Sequence, residues 1–328
     1  MREEVTIVSL NEKERWESEH QRGGLPSQSW GYAWALSASG YEPVLAIVES
    51  QGSRMLLPFF KRQWKDTIDV ATIPGLSGAC IYPHSTAPLE LWHEFATSQG
   101  WIAGYIQIAP WVEIEKIPMG AHLATHTSFM FLDLLAPELE SSISRTVRRN
   151  LRKITLGGAT LVENPSNLAN SLRVLYPAAM RRFGAPVSFS SETIDRWARS
   201  PHCLLLGVSL EERVEAVHLG HVFGANAEWH IVGTSERGRS LSALIYWNAI
   251  LRLREQGIRW LNMGGGARPG DGICAFKERF GAKPMAVQSL RQVYNHTMYE
   301  RLCDEGGVIP KVGGWFPPYR YSRAEIFS

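Results

Sequence analysis

The sequence predicts an α/β (α+β) protein of two tandem domains, each a mixed sheet flanked by helices. Three observations carry this. The 328 residues suffice for two domains of ordinary size, each with its own core. A hairpin, a helix and a strand follow one another in the first half and again, in that order, in the second. The halves also share a local echo, LWHEFATSQGW at 91–101 against YWNAILRLREQGIRW at 246–260.

In the first half, a polar opening leads to LPSQSWGYAWALSASG (25–40), a helix beginning after Pro26 and ending at Gly40. VLAIVESQGSRMLLPFF (44–60) reads as two strands about a turn at Gln51-Gly52. After a Gly/Pro-rich stretch, PLELWHEFATSQG (88–100) starts at a proline and stops at a glycine, as helices do. WIAGYIQI (101–108) is the strand after it.

In the second half, CLLLGVSLEERVEAVHLGHVFG (203–224) is strand, turn, strand, and AEWHIVG (227–233) is a third strand. SLSALIYWNAILRLREQG (240–257) is a long helix capped by Ser240 and stopped at Gly257, followed by the strand IRWLNMG (258–264). Between the halves, SSISRTVRRNLRKITLGG (141–158) places Ile143, Val147, Leu151 and Ile154 at helical spacing and ends on two glycines. The expected division is therefore an N-terminal domain over 1–140, a basic connecting helix over 141–158 and a C-terminal domain over 159–328.

That helix holds the densest charge in the chain: Arg145, Arg148, Arg149, Arg152 and Lys153, five cations in nine residues without an acid. Two readings fit, a solvated basic face or a contact for phosphate or a polyanion, which the planar fork of arginine suits. The whole chain is close to neutral, with a formal charge of +2, so no electrostatic argument extends beyond such local clusters and none points to DNA. The start lacks the basic and apolar regions of a signal peptide, and no apolar run reaches the length of a membrane span. Cys80, Cys203, Cys274 and Cys303 lie far apart, reading as thiols of a reducing compartment rather than a disulfide framework or metal site. The cytoplasm is the expected location.

GGGARPGDGICAFKERFGA (264–282) crowds glycines, Asp271 and Lys277 into one stretch. It spells neither a Walker loop nor a dinucleotide fingerprint, and Pro269 stands where a fingerprint helix would begin. Glycines directly after a strand let the backbone turn sharply and approach a ligand. DGICAFKERFG then reads as a short helix with Asp271 at its N-cap and Gly281 beyond its end.

The ending FKERFGA (276–282) resembles the late-helix ending of the GNAT acyltransferase fold. The larger pattern is similar to the Fem-type (FemABX) peptidyltransferases, which carry two GNAT-like domains in one chain. The resemblance runs through PSQSWGYAWAL, SRTVRRNLRKITLGGATLVEN and the long block from VGTSERGRS to FKERFGA. It implies an N-acyltransferase or aminoacyltransferase that moves an acyl group from acyl-CoA or aminoacyl-tRNA, with no tightly bound cofactor. The acceptor would be an amine of a cell-wall (peptidoglycan), polysaccharide or small-molecule substrate. In Fem-type enzymes the lysine of the FK pair lies at the acceptor–donor site and meets phosphate; the matching residue is Lys277. SERGRS (235–240) corresponds to the GNAT pyrophosphate loop and departs from it at Ser235 and Ser240, leaving Arg237 and Arg239 to hold an anion or to form a solvated turn. Trp34 stands where Fem-type enzymes that use peptidoglycan precursors often carry a lysine.

Acyl transfer to an amine needs a proton acceptor and stabilisation of the developing oxyanion. His230 is the candidate base, sharing a strand side with Glu228, while His218 and His221 take opposite faces of their strand. Tyr246 follows the anion loop, and Asn262 interrupts an apolar strand, where a buried amide needs partners. Trp30 and Tyr32 either line a groove or pack a core. Arg145 and Arg148 on the basic helix, with Gly265 and Phe276 beside Lys277, complete the substrate-binding candidates. A non-catalytic GNAT-like scaffold in an envelope or exopolysaccharide pathway is the competing expectation.

Overall fold

The computed structural model describes residues 3–83, 85–114, 117–118, 120–266, 271–311 and 314–320, so Pro269 lies outside the described residues. The chain forms two compact units, Met1–His126 with Ala286–Ser328, and Thr127–Met285.

The polar opening folds into β1 (Glu4–Val8) and α1 (Lys13–Gln21), a helix that buries only Trp16 and His20. α2 (Trp30–Leu36) starts where the Ser29 hydroxyl accepts the Tyr32 N–H and gives way to a 3-10 turn that ends at Gly40, φ 82°. β2 (Pro43–Ser50) and β3 (Ser53–Trp64) form the expected hairpin; Gln51 and Gly52 both have positive φ, as a two-residue hairpin turn requires. β4 (Thr67–Thr72), β5 (Cys80–Tyr82), α3 (Ala87–Ser98) and β6 (Ala103–Ile108) follow.

Next come β7 (Ala121–Asp133), α4 (Leu139–Ser142), α5 (Arg145–Leu156), β8 (Thr160–Val162), α6 (Pro165–Phe183) and α7 (Ser191–Ala198). β9 (Cys203–Leu210), β10 (Arg213–Phe223) and β11 (Asn226–Thr234) are the three expected strands. α8 (Ser242–Glu255), β12 (Trp260–Asn262) and α9 (Gly272–Glu278) complete the second unit. β13 (Lys283–Val293) and α10 (His296–Glu305) carry the chain back into the first.

Within the first unit the strand order is β1-β2-β3-β4-β6-β13, with β5 against β3; β4 and β6 are parallel and the other pairs antiparallel. Within the second it is β7-β12-β11-β10-β9-β8, where only β11 and β12 run parallel. Each unit is thus a mixed sheet with its own core. One core centres on Phe59, Trp92, Trp101 and Leu290, the other on Leu132, Val208, Ile245, Ile250 and Phe280. Among the described residues no helix is long and apolar enough to cross a membrane.

The sequence-based boundaries move in three places. The tail after 286 belongs to the first unit, because β13 pairs with β6 from Gln288 to Val293 and the Tyr294 hydroxyl accepts the Trp92 indole N–H at 3.1 Å. The basic helix is part of the second unit rather than a connector: Val147 and Ile154 of α5 sink into that core, against α8. It begins at Ser144, whose hydroxyl accepts the Val147 N–H, while Ile143 is extended and buried before it. Finally, Ser240 does not cap α8; residues 238–240 form a 3-10 turn in which the Ser240 hydroxyl donates to the Arg237 carbonyl, and Leu241 takes the cap position.

Candidate active site

β11 and β12 pair over only three positions, Asn226 with Trp260, Ala227 with Leu261 and Glu228 with Asn262. β11 continues to Thr234, while the chain after Asn262 turns away from it and stays with β7. Met263 donates to the Met130 carbonyl at 2.8 Å, and Met130 donates to the Gly264 carbonyl at 3.1 Å. Gly264 sits at φ 70°, a conformation that a side chain disfavours. The buried Asn262 amide oxygen accepts the Gly264 N–H at 2.9 Å, the partner its burial demands.

At the start of α9, Asp271 Oδ1 accepts the N–H groups of Ile273 and Cys274, each at 2.9 Å. The same carboxylate leaves no room for a side chain at Gly266, whose Cβ would lie 2.3 Å from it. So anchored, α9 turns Lys277 inward: the residue is 4 % exposed, and its Nζ donates to the Gly264 carbonyl at 3.0 Å and the Gly265 carbonyl at 2.6 Å. Burial lowers the ammonium to about 8, against the partial opposition of Cys274 and Asp271.

His218, on β10, is fully buried and held neutral, lowered to about 3 first by burial and then by the Lys277 charge. Its ring meets Tyr246 edge-on at 4.9 Å and Trp229 at 5.4 Å, and its Nε2 lies 3.4 Å from the Ser242 hydroxyl. Tyr246 packs in turn on Phe276 at 5.5 Å and Phe280 at 5.8 Å, and burial raises its phenol. Of the candidates read from the sequence, Lys277, Tyr246, Asn262, Gly265 and Phe276 therefore gather around one strand end. His218 was read only as one of two histidines on opposite strand faces, and Ser242 was missed. The available signal was the spacing of Ser242 and Tyr246, one helical turn apart on α8.

His230 goes elsewhere. Its strand neighbour Trp229 faces His218, so His230 faces the other side, against the His221 ring at 5.1 Å and Trp197 at 6.3 Å. Its Nε2 is 3.4 Å from Glu228 Oε2, yet burial dominates and lowers the imidazole to about 3. The shared side of Glu228 and His230 is as the alternation predicts, but this pair lies on the opposite face from the Lys277 group.

The loop 235–240 is tightly organised. The Ser235 hydroxyl donates to the Glu215 carboxylate and accepts the Gly238 N–H at 2.9 Å. Arg237 makes a two-pronged pair with Glu211 at 3.0 and 3.1 Å, and Arg239 lies 3.5 Å from Glu236; both arginines are exposed. Arg145 is exposed at the start of α5, whereas Arg148 folds back to donate to the carbonyls of Glu140, Ser141 and Ile143. Trp30 and Tyr32 lie in the first unit. The Trp30 indole donates to the Leu10 carbonyl at 2.8 Å and its ring stacks on Trp34 at 5.6 Å; the Tyr32 hydroxyl donates to the Pro74 carbonyl at 2.9 Å.

Residues 141–278 match the family model of the acetyltransferase (GNAT) domain. The region takes in the basic helix, the loop 235–240 and α9 with Lys277. No curated protein sequence matches the chain. Among solved structures it is similar to FemX, with a TM-score of 0.65 at 13 % identity, over 91 % of this chain and 99 % of that one. It is also similar to L-PGS from Bacillus licheniformis, with a TM-score of 0.57 at 14 % identity over 86 % and 92 %. A conserved protein of unknown function from Bacteroides thetaiotaomicron gives 0.61 at 9 % identity over 89 % and 100 %. At these identities the likeness is one of fold. Residues 141–278 thus match the acetyltransferase (GNAT) domain model, and the chain shares its fold with FemX.

Proposed function

We propose that the protein is an N-acyltransferase that moves an acyl or aminoacyl group from an activated ester or thioester donor onto an amine. The observation that carries the reading is Lys277, a buried cation held between two backbone carbonyls at the point where β11 and β12 part. An ammonium has three donors. Among the described residues two are engaged, by Gly264 and Gly265, which leaves the third for an oxygen acquiring charge. In a site shielded from water such a donor acts strongly on the tetrahedral transition state.

The balance of the reaction is simple. The acceptor nitrogen bonds to the acyl carbon, the bond to the carrier oxygen or sulfur breaks, and the amine proton leaves with the carrier. No covalent enzyme intermediate is required, because the donor is already activated. His218 stays neutral beside Lys277 and keeps a second positive charge out of the site. Aminoacyl-tRNA and acyl-CoA are the two donor classes, and the acceptor is an amine on a cell-wall, polysaccharide or small-molecule substrate.

Transfer of radiolabelled acetyl from acetyl-CoA, and of labelled amino acid from a charged tRNA pool, to a panel of amines tests this. Transfer by the wild type, lost in a folded Lys277→Ala variant, is the expected result. Equal transfer by both proteins, or none by either, overturns the reading.

A further inference from the structure

A groove of about 390 Å³ runs between α5 and α9, within the second unit. Arg149 and Lys153 of α5 and Arg279, at the C-terminal end of α9, line it with Val147, Asn150 and Phe276. Among the described lining residues there is no carboxylate. Several arginines of the same unit are, by contrast, paired. Arg173 pairs with Asp195, Arg196 with Glu192, Arg252 with Glu163 and Arg254 with Glu140. Among the described residues, Arg149, Lys153 and Arg279 have no carboxylate within 4 Å. Three cations drawn together from two helices without a counter-charge repel one another, and an anion between them removes that cost.

The groove also borders the Lys277 site. Phe276 lines it and packs on Tyr246, while the next residue of α9 is Lys277. The alternative place for phosphate, the loop 235–240, has its Gly238 N–H on Ser235 and its two arginines on carboxylates. We propose that the α5–α9 groove is a phosphate-binding site that holds the phosphate-bearing carrier of the acyl donor through Arg149, Lys153 and Arg279. This rests on the acyl-transfer reading for the carrier's role, but not for the binding itself. The ligand chemistry is a phosphate diester or diphosphate, which CoA and RNA both supply.

The test is equilibrium binding of CoA and, separately, of fluorescein-labelled uncharged tRNA at several salt concentrations. Three proteins are compared: wild type, Arg149→Gln/Lys153→Gln/Arg279→Gln, and a control that removes the same charge elsewhere, Arg173→Gln/Arg196→Gln/Arg252→Gln. The expected result is that one probe binds the wild type and loses at least about tenfold in affinity in the groove variant alone. For tRNA, the slope of log affinity against log salt falls by about 2–3, one unit per lost phosphate contact. Which probe binds identifies the carrier. Wild-type affinity in the groove variant, an equal loss in the charge control, or no binding of either probe overturns the proposal. If binding depends on the groove but the wild type transfers nothing, the groove stands and the acyl-transfer reading falls. If transfer depends on Lys277 but binding ignores the groove, the reverse holds.

Discussion

Lys277 on α9 and Gly265 beyond β12, 12 residues apart in sequence, meet at 2.6 Å through the ammonium and a backbone carbonyl. The carbonyl of Gly264 takes a second proton of the same ammonium at 3.0 Å. Burial strips the ammonium of water, and Cys274 and Asp271 offset that only in part, so Lys277 is lowered to about 8.

That value fixes the direction of a pH effect. The ammonium loses its proton as pH rises through about 8, so acyl transfer that depends on the charge declines on the alkaline side of that value. In Lys277→Arg the guanidinium stays protonated throughout, and the decline moves above about pH 10. Profiles of kcat/KM against pH check this, and superimposable profiles for the two proteins would refute it. Lys277→Ala lowers kcat by about 10²–10³-fold, the usual consequence of removing a donor to a developing oxyanion.

Acid should weaken the second unit through its buried histidines. His218 and His230 are lowered to about 3 and His221 well below its ordinary value, all chiefly by burial. The unfolded chain binds these protons near pH 6.5, so stability is lost as pH falls below that and continues to fall towards 3. Each histidine contributes a slope of about 1.4 kcal/mol per pH unit in that window. His218→Gln removes one such proton, and its denaturation midpoint should depend less steeply on pH between about 4 and 6. An unchanged slope in urea titrations would show that His218 is not buried neutral.

In the first unit, the Asp69 carboxylate is fully buried and is held by Arg62, by Arg320 and by the Tyr319 hydroxyl at 3.2 Å. Asp69→Ala leaves two partly buried guanidinium groups without a counter-charge and should cost about 3 kcal/mol in chemical denaturation. Arg320→Ala leaves the Arg62–Asp69 pair in place and should cost less. A loss below about 1 kcal/mol for Asp69→Ala would mean that the carboxylate is not the anchor of the C-terminal segment.

The loop before α8 depends on Gly238. A Cβ there would lie 1.8 Å from the Glu215 carbonyl oxygen, a backbone atom that cannot move aside cheaply. Gly238→Ala should destabilise by about 1–3 kcal/mol or more. Arg237→Ala, at an exposed ion pair in the same loop, should leave the thermal midpoint unchanged. Thermal scans of the two variants check the contrast, and equal midpoints would contradict the close approach at Gly238.

By itself, the sequence determined the strands, helices and turns whose signals are local. The hairpin at Gln51-Gly52, the Asp271 cap, the stops at Gly40 and Gly257, and the mixed sheets are written in spacing and in residues tolerant of positive φ. The resemblance pointed to Lys277 because the FK pair and the glycines before it form one short motif. Only the tertiary structure decided where distant segments meet. β1 and α1 were hidden in a polar stretch because two buried residues, Trp16 and His20, anchor that helix. The assignment of β13 to the first unit rests on pairing with β6 across roughly 180 residues of chain, which no periodicity records. The same holds within the site. His218 and His230 look alike along their strands, and only the side of the sheet on which α9 docks separates the histidine beside Lys277 from the one packed against Trp197.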